Sequence, residues 1–271
     1  MKLSQNTILI TGGTSGIGQA LAAQFLARGN TVLVTGRSEA RLAAVRQAMP
    51  GVHTFVCDQA NPASVANLCV DVVAAFPDLN VLVNNAGIGL KLNLNDESRS
   101  LADLEIEIRT NLIGPIQLIQ LLLPHLRRQP QPVIVNVSSG LAFVPMPLKP
   151  IYCATKAAIH SYTQSLRVQL KSSRVKVIEL APPAVQTEFN AGQEDINVKN
   201  AMDVTKFAET AIRGLGQGRD EVLPGLAPIL RLMGRLNPHA LVRAAEAELL
   251  GTSHKAAPAG RAGAKGCSRE V

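Results

Sequence analysis

The stretch TGGTSGIG, residues 11–18, decides the fold, because its glycines separate a short apolar run from a helix-like run. The run at 7–11 is typical of a buried strand, and the run at 16–29 has apolar residues at helical spacing. Glycine permits a tight turn and close approach of the backbone to a phosphate, while a helix N-terminus offers unpaired N–H groups. A glycine-rich turn without a ligand is the alternative, and the position after a first strand argues against it. The candidate binding residues of this turn are Gly12, Thr14, Ser15, Gly16, Ile17 and Gly18.

Strand-like and helix-like runs alternate along the rest of the chain, which is the pattern of βαβ units. Right-handed crossovers assemble such units into a parallel sheet with helices on both faces. We therefore predict the α/β class, with a single Rossmann-type, doubly wound parallel sheet of about seven strands flanked by helices. The predicted strands lie at 7–11, 31–35, 52–57, 80–84, 132–139, 174–180 and 221–225.

Two of the predicted helices are long. The run at 101–128 predicts one helix that bends at Gly114 and Pro115, and a second is predicted over 151–171.

The limits of the domain follow from the absence of a linker before about residue 250. Residues 1–250 are expected to form one domain that ends in an amphipathic helix over 226–250. Packing over the site or at a subunit interface is the favoured role of that helix, and its arginines leave membrane contact as an alternative. Residues 251–271, rich in Ala, Gly, Pro and Lys, have the composition of a disordered tail.

The composition excludes several classes of protein. Hydrophobic residues make up 46% of the 271 residues and charged residues 17%, which excludes a chain that is disordered throughout. The formal net charge is +7, but no basic run is interleaved with aromatic residues, so no nucleic-acid partner is expected. The four cysteines have no metal-ligand spacing and predict reduced thiols, no metal site and a cytoplasmic protein. No apolar run reaches the roughly 18 residues of a membrane span.

The end of the second strand selects between dinucleotides in folds of this kind. Arg37 follows Gly36 there and no acidic residue is present, which favours the 2′-phosphate of NADP(H), with NAD(H) as the second option. An exposed arginine at a helix entry is the alternative. Asp58, at the end of the third strand, is placed to accept from an adenine amino group or else to cap the following helix.

Four further motifs follow the glycine turn, and their order and spacing are specific. They are NNAG at 84–87, an asparagine at 111, VSS at 137–139 and YCATK at 152–156. With TGGTSGIG they resemble the short-chain dehydrogenase/reductase family over about residues 5–225.

The resemblance implies a set of catalytic residues. Tyr152 would be the general acid in carbonyl reduction and the base in alcohol oxidation. Lys156 would hold the nicotinamide ribose and lower the pKa of the Tyr152 phenol. Ser139 would orient the substrate oxygen, and Asn111 would organise a water that links Lys156 to solvent.

Elementary chemistry agrees with these roles. A free phenol has a pKa of about 10, and a cation one helical turn away favours the phenolate. The spacing of Tyr152 and Lys156 puts both side chains on one helix face. Taken alone, Ser139 could equally belong to a strand-end turn, and Asn111 could be a mid-helix amide near a bend.

The resemblance also implies cofactor contacts on two further loops. After the sixth strand, Pro183 replaces the usual glycine, removes an N–H and stiffens the chain. Val185 and Thr187 remain, so contacts to the nicotinamide carboxamide are still expected. The residues implied on the adenosine side are Asn85, Ala86 and Gly87.

Three segments near the site carry weaker signals. The run at 143–149 offers Phe143, Val144, Met146 and Leu148 as an apolar pocket wall or as plain packing. Residues 186–203 are polar and predict a mobile substrate lid. His160 is expected at the surface or at an interface.

The sequence therefore predicts an NADP(H)-dependent oxidoreductase that interconverts a carbonyl and an alcohol on a partly apolar small molecule. A non-catalytic NADP-binding regulator and a peripheral membrane protein on the same fold are the alternatives. The runs LAPPAVQTE and FVPMPLKPIYCATKAAIHSY resemble one bacterial subgroup of the family, named for the oxidoreductase encoded beside the teichoic-acid D-alanylation genes. A homodimer or homotetramer is expected through the two long helices.

Overall fold

The computed structural model describes residues 1–92, 100–190, 201–237 and 242–243. Seven strands form one sheet in the order β3-β2-β1-β4-β5-β6-β7, and every neighbouring pair is parallel. The order reverses between β1 and β4, which opens a crevice at the carboxyl ends of these strands. The predicted doubly wound sheet is confirmed. The strands are β1 Thr7–Ile10, β2 Thr31–Gly36, β3 His53–Val56, β4 Leu79–Asn84, β5 Val133–Val137, β6 Lys176–Leu180 and β7 Glu221–Val222.

Helices connect successive strands and cover both faces of the sheet. Several begin at the polar residue that the sequence offers as a cap, such as Ser38 and Asn61, whose side chains accept backbone N–H groups of the first turn. The helices are α1 Gly16–Leu26, α2 Glu39–Ala48, α3 Pro62–Ala75, α4 Leu101–Ile108, α5 Gly114–Leu126, α6 Pro150–Gln169, α7 Val204–Gly216 and α8 Ala227–Leu236.

The hydrophobic core lies in two layers because both faces of the central strands are apolar. On one face Ile8 and Ile10 pack with Phe25 of α1 and Phe207 of α7. The opposite face packs against α3, α5 and α6. No helix in the described part of the chain is long and apolar enough to cross a bilayer.

The predicted helix over 101–128 runs from Leu101 to Leu126 and contains a wider turn just before Gly114. α4 passes into a π-helical segment, Arg109–Ile113, which leads directly into α5. The N–H of Gly114 donates to the carbonyl of Arg109, five residues back, just before Pro115, which has no N–H to donate. Asn111 lies in this turn, and its side chain is buried, with 1% of the residue exposed.

Among the described residues, the predicted helix over 226–250 is interrupted at Asn237, and residues 242–243 are helical again. α8 ends at Leu236, and Asn237 leaves helical geometry with a φ of −151°. Pro238 follows, and a proline disfavours the helical conformation in the residue before it. Residues 238–241 and 244–250 of the predicted helix lie outside the described residues, as do residues 251–271 and most of the predicted lid.

Two valines of α3 test the packing of the second core layer. Val72 is fully buried, whereas Val70 is 69% exposed on the same helix. Val72→Ala is expected to lower the free energy of unfolding by about 2 kcal/mol, because it removes buried methyl groups and leaves a cavity. Val70→Ala, the matched control, should change it by less than about 0.5 kcal/mol. Urea denaturation of both variants measures this difference, and equal losses would contradict the packing.

Candidate active site

The glycine turn after β1 has contacts too close for a side chain. Gly12 has a φ of +66°, and a Cβ atom placed on it would lie 2.8 Å from the Ala86 Cα atom. A Cβ atom on Gly18 would lie 2.3 Å from the carbonyl oxygen of Gly12. The N-cap Ser15 makes no side-chain hydrogen bond to α1. The turn therefore fits a phosphate, which can accept from the backbone N–H groups of the first helical turn.

A cavity of about 950 Å³ runs along the carboxyl edge of the sheet from this turn to α6. This volume lies near the upper end of the ~300–1,000 Å³ that is common for small-molecule sites. All of the predicted site residues line it except Asn111 and Lys156, which are buried. Motifs that are far apart in the sequence therefore share one cavity.

Asn85 and Thr11 join the turn to the loop after β4. The Thr11 hydroxyl accepts from the backbone N–H groups of Asn85 and Ala86 at 3.1 and 3.0 Å. The Asn85 amide donates to the carbonyls of Thr11 and Gly12 at 2.9 and 3.2 Å. Asn85 lines the cavity as predicted, but its amide group holds the turn in place.

Two arginines lie beyond the carboxyl end of β2. Arg37 lines the cavity, and Arg41, one turn into α2, lines it beside Arg37. Arg41 also pairs with Glu188 at 3.6 Å, with both side chains exposed. Asp58 lines the cavity, but one of its carboxylate oxygens accepts from the N–H of Ala60 at 3.0 Å. That contact closes a turn ahead of α3, whose N-cap is Asn61 rather than Asp58, and the Asp58 carboxylate keeps further lone pairs for a ligand.

Tyr152 and Lys156 lie one turn apart on α6 and converge with Ser139 at the end of β5. The Ser139 side chain lies close enough to the Tyr152 phenol to act on its pKa, and both residues line the cavity. Lys156 is 4% exposed, and its Nζ atom donates to the carbonyl of Val137 at 2.9 Å. The same Nζ atom lies 5.7 Å from the centroid of the Tyr152 ring.

Burial controls the ionisation of this pair. It raises the pKa of Tyr152 to about 12, and the Ser139 side chain opposes that shift. Burial also lowers the pKa of Lys156 to about 8, against the attraction of the Glu107 carboxylate. Desolvation is therefore the largest influence on the Tyr152 phenol in the protein alone, and the predicted lowering of its pKa by Lys156 stays a prediction.

Asn111 fixes the loop after β4 from the π-helical segment. Its side-chain oxygen accepts from the N–H of Ile88 at 2.9 Å, and its amide donates to the Ile88 carbonyl at 2.8 Å. The amide also lies 3.2 Å from the Thr155 hydroxyl of α6. A Cβ atom on Gly87 would lie 3.3 Å from the Asn111 oxygen. Asn111 therefore connects the cofactor side of the cavity to the helix that carries Tyr152.

The unusual proline loop after β6 is held in place by its neighbours. The carbonyl of Pro182 accepts from the N–H of Gly140 at 2.7 Å. The Pro183 ring packs against Gly225, where a Cβ atom would lie 3.3 Å from it. Beyond this loop, Val185 forms a parallel bridge with Met202. Val185 and Thr187 both line the cavity, and their contacts to a nicotinamide carboxamide stay a prediction.

The segment 143–149 contributes less to the cavity wall than predicted. Met146 lines the cavity, but Phe143, Val144 and Leu148 do not. Val144 and Leu148 are buried as plain packing, which was the alternative. Apolar residues from other segments line the cavity instead, namely Leu141, Phe189 and Leu230.

His160 is more buried than a surface histidine. Its side chain is 18% exposed, and its Nδ1 atom lies 2.8 Å from a carboxylate oxygen of the buried Glu179. The other carboxylate oxygen of Glu179 accepts from the Ser138 hydroxyl at 2.5 Å. These bonds tie α6 and β6 to the end of β5, where Ser139 lies.

Sequence reasoning missed four residues around this site. Phe189 lies over Tyr152, Lys149 lines the cavity beside them, and Glu107 is buried behind. Arg41 is the fourth, and its position four residues after Arg37, on the same helix entry, was the available signal.

Comparisons with known proteins agree with this architecture. A family model described as short chain dehydrogenase matches residues 6–197. The oxidoreductase DltE of Bacillus subtilis is 42% identical over 224 residues, which cover 82% of this chain and 89% of DltE. The NADP-dependent 3-hydroxy acid dehydrogenase YdfG of Salmonella typhi is 33% identical over 186 residues, covering 68% and 75%.

A solved structure shares the whole arrangement. The short chain dehydrogenase of Burkholderia cenocepacia, in complex with NADP, superimposes with a TM-score of 0.77 at 25% identity. The match covers 90% of this chain and 99% of that one. The seven-stranded parallel sheet, the glycine turn at its centre and the extent of these matches lead to one assignment. The chain belongs to the short chain dehydrogenase family and resembles DltE within it.

Proposed function

We propose that the protein is an NADP(H)-dependent oxidoreductase that interconverts a carbonyl and an alcohol, with Tyr152 as the general acid and base. One observation carries this proposal above the others. The Tyr152 phenol, beside Ser139, opens into the same cavity as the glycine turn. A substrate oxygen and a dinucleotide can therefore meet at one place.

The residues at this place have complementary tasks. When bound, the nicotinamide supplies or accepts the hydride. Tyr152, neutral at pH 7 because of its raised pKa, gives its proton to the carbonyl oxygen during reduction. Ser139 orients that oxygen, and the buried ammonium of Lys156 stabilises the phenolate that forms. Asn111 holds the loop opposite and is the candidate link in the proton path from Lys156 to solvent.

The preference for NADP(H) is supported by Arg37 and Arg41. Both line the part of the cavity beyond β2, which the adenosine ribose of a bound dinucleotide would occupy. Two guanidinium groups there can pair with a 2′-phosphate. The related YdfG is named as NADP-dependent, and the Burkholderia structure contains NADP. NAD(H) is the second option.

Two features bear on partners and location. Leu121 of α5 and Val168 of α6 are 47% and 73% exposed on the two long helices, which supports homodimer or homotetramer formation there. Cys57, Cys69 and Cys153 are free and buried, which supports a cytoplasmic protein with reduced thiols.

α8 bears on the membrane alternative. Leu230 of α8 lines the cavity, so the helix packs over the site as expected, while Ile229, Leu232 and Leu236 are exposed. These three exposed apolar residues of α8 are the feature that supports the alternative of membrane-surface contact.

Replacing Tyr152 with phenylalanine separates an enzyme from a non-catalytic regulator. Tyr152→Phe is expected to lower kcat at least about 100-fold, since general acid catalysis contributes about 10²- to 10⁴-fold. NADPH affinity, followed by fluorescence titration, should change less than threefold because the ring remains in place. Turnover is followed by NADPH oxidation with a panel of aldehydes, ketones and quinones. Unchanged turnover in the variant would refute the assigned acid.

Removing the arginine after β2 tests the cofactor. Arg37→Ala is expected to raise the Kd of NADPH about 10- to 100-fold, because a charge-assisted contact to the 2′-phosphate is lost. The Kd of NADH should change less than threefold. Arg28→Ala, which removes an exposed arginine from the end of α1, is the matched control for net charge. Equal losses for the two cofactors would remove the NADP(H) assignment.

A further inference from the structure

A lysine is buried in the wall of the cavity next to the reacting phenol. Lys149 directly precedes α6, stands three residues before Tyr152 and is only 2% exposed. It lines the cavity at the substrate end, away from the glycine turn. Lysine is almost never fully buried unless its charge is compensated, so this position requires an explanation.

The ammonium of Lys149 is linked to the phenol through Phe189. Its Nζ atom lies 4.7 Å from the centroid of the Phe189 ring. That ring lies 5.3 Å from the centroid of the Tyr152 ring. Phe189 also presses on Gly89, where a Cβ atom would lie 2.4 Å from the end of the phenylalanine ring. The aromatic ring therefore stands between a cation and the catalytic hydroxyl, in the space where a substrate would lie.

Glu107 provides the compensating charge from behind. It is 1% exposed on α4, does not line the cavity, and accepts from the N–H of Leu90 at 3.3 Å. Burial lowers the pKa of Lys149 to about 8, while attraction to Glu107 acts to raise it. Lys149 lines the cavity and Glu107 does not, so a ligand in the cavity would meet the lysine side chain rather than the carboxylate.

We propose that Lys149 is a specificity-determining residue that binds a carboxylate group on the carbonyl substrate. The Lys149 Nζ atom faces the Phe189 ring, so a substrate carboxylate that takes the place of this ring would form a charge-assisted hydrogen bond with the ammonium. The substrate displaces the Phe189 ring from the face of the ammonium. Its apolar part then packs against Leu141, Met146 and Leu230, which line the same region.

The inference rests on the proposed function and adds the class of substrate to it. A carboxylate in a site with little water gains more from a fixed ammonium than it would in solution. The Lys149 ammonium and the Tyr152 ring both lie next to the single Phe189 ring, so Lys149 would select oxo acids in which a short chain separates the carbonyl and the carboxylate.

Matched oxo acids and esters test the proposal in the full-length protein. Pyruvate, acetoacetate and levulinate are each compared with their methyl ester in NADPH-dependent reduction. For at least one pair, the wild type should favour the acid in kcat/KM about 10- to 100-fold, the range of one charge-assisted hydrogen bond. Lys149→Met should bring that ratio to about one, and Lys149→Arg should retain most of it.

Control variants separate this contact from general effects. Lys171→Met removes one exposed positive charge near the far end of α6 and should leave the ratio unchanged. Lys149→Met leaves the Glu107 carboxylate buried without that partner, so the double variant Lys149→Met/Glu107→Gln keeps the test valid if the single variant fails to fold.

Binding measurements distinguish failure of this proposal from failure of the proposed function. Calorimetry with each acid and ester is performed on the protein saturated with NADP⁺, where reduction cannot proceed. Preferential binding of an acid that is lost in Lys149→Met supports the carboxylate site even if none of these compounds is reduced. Equal binding of acids and esters, or a preference that survives in Lys149→Met, overturns it. Reduction of the esters alone overturns it as well and leaves the oxidoreductase function intact.

Discussion

The hydroxyl of Thr11 is the contact on which the geometry of the site depends. By accepting from the two backbone N–H groups after β4, it brings the turn that ends β1 against the loop that ends β4, at the point where the sheet order reverses. Further along the same loop, the backbone N–H groups of Ile88 and Leu90 donate to the side chains of Asn111 and Glu107. These hydrogen bonds fix the rest of the loop. Catalytic and cofactor residues on different strands therefore share one frame.

Burial brings several charged groups close to the Tyr152 phenol. Two ammonium groups, Lys149 and Lys156, and one carboxylate, Glu107, lie within the protein near the phenol. Burying three charges costs several kcal/mol for each ion unless they compensate one another. The balance leaves one positive charge in excess among these three groups. That excess suits a phenolate on Tyr152 during turnover.

Local glycine, proline and apolar patterns predicted the sheet and the order of its elements, and the family resemblance predicted part of the cavity lining. Local patterns could not predict the π-helical turn, since its Asn111 bonds to Ile88, which is 23 residues earlier in the chain. The electrostatic attraction between Glu107 and Lys149 joins positions 42 apart in the chain, and no spacing rule connects them. The raised pKa of Tyr152 was missed for the same reason, as it follows from tertiary burial.

Backbone atoms form one end of the cavity and side chains form the other. At the dinucleotide end, backbone meets backbone, as where Gly12 approaches Ala86 and Gly18 approaches Gly12. At the substrate end, the tips of side chains form the wall, and Leu230 of α8 reaches within 2.8 Å of the position of a Cβ atom on Gly140. A substitution in α8 can therefore reshape the wall beside Gly140, whereas a side chain added at Gly12 or Gly18 meets backbone that cannot move aside. The shape of one end of the cavity can change independently of the other.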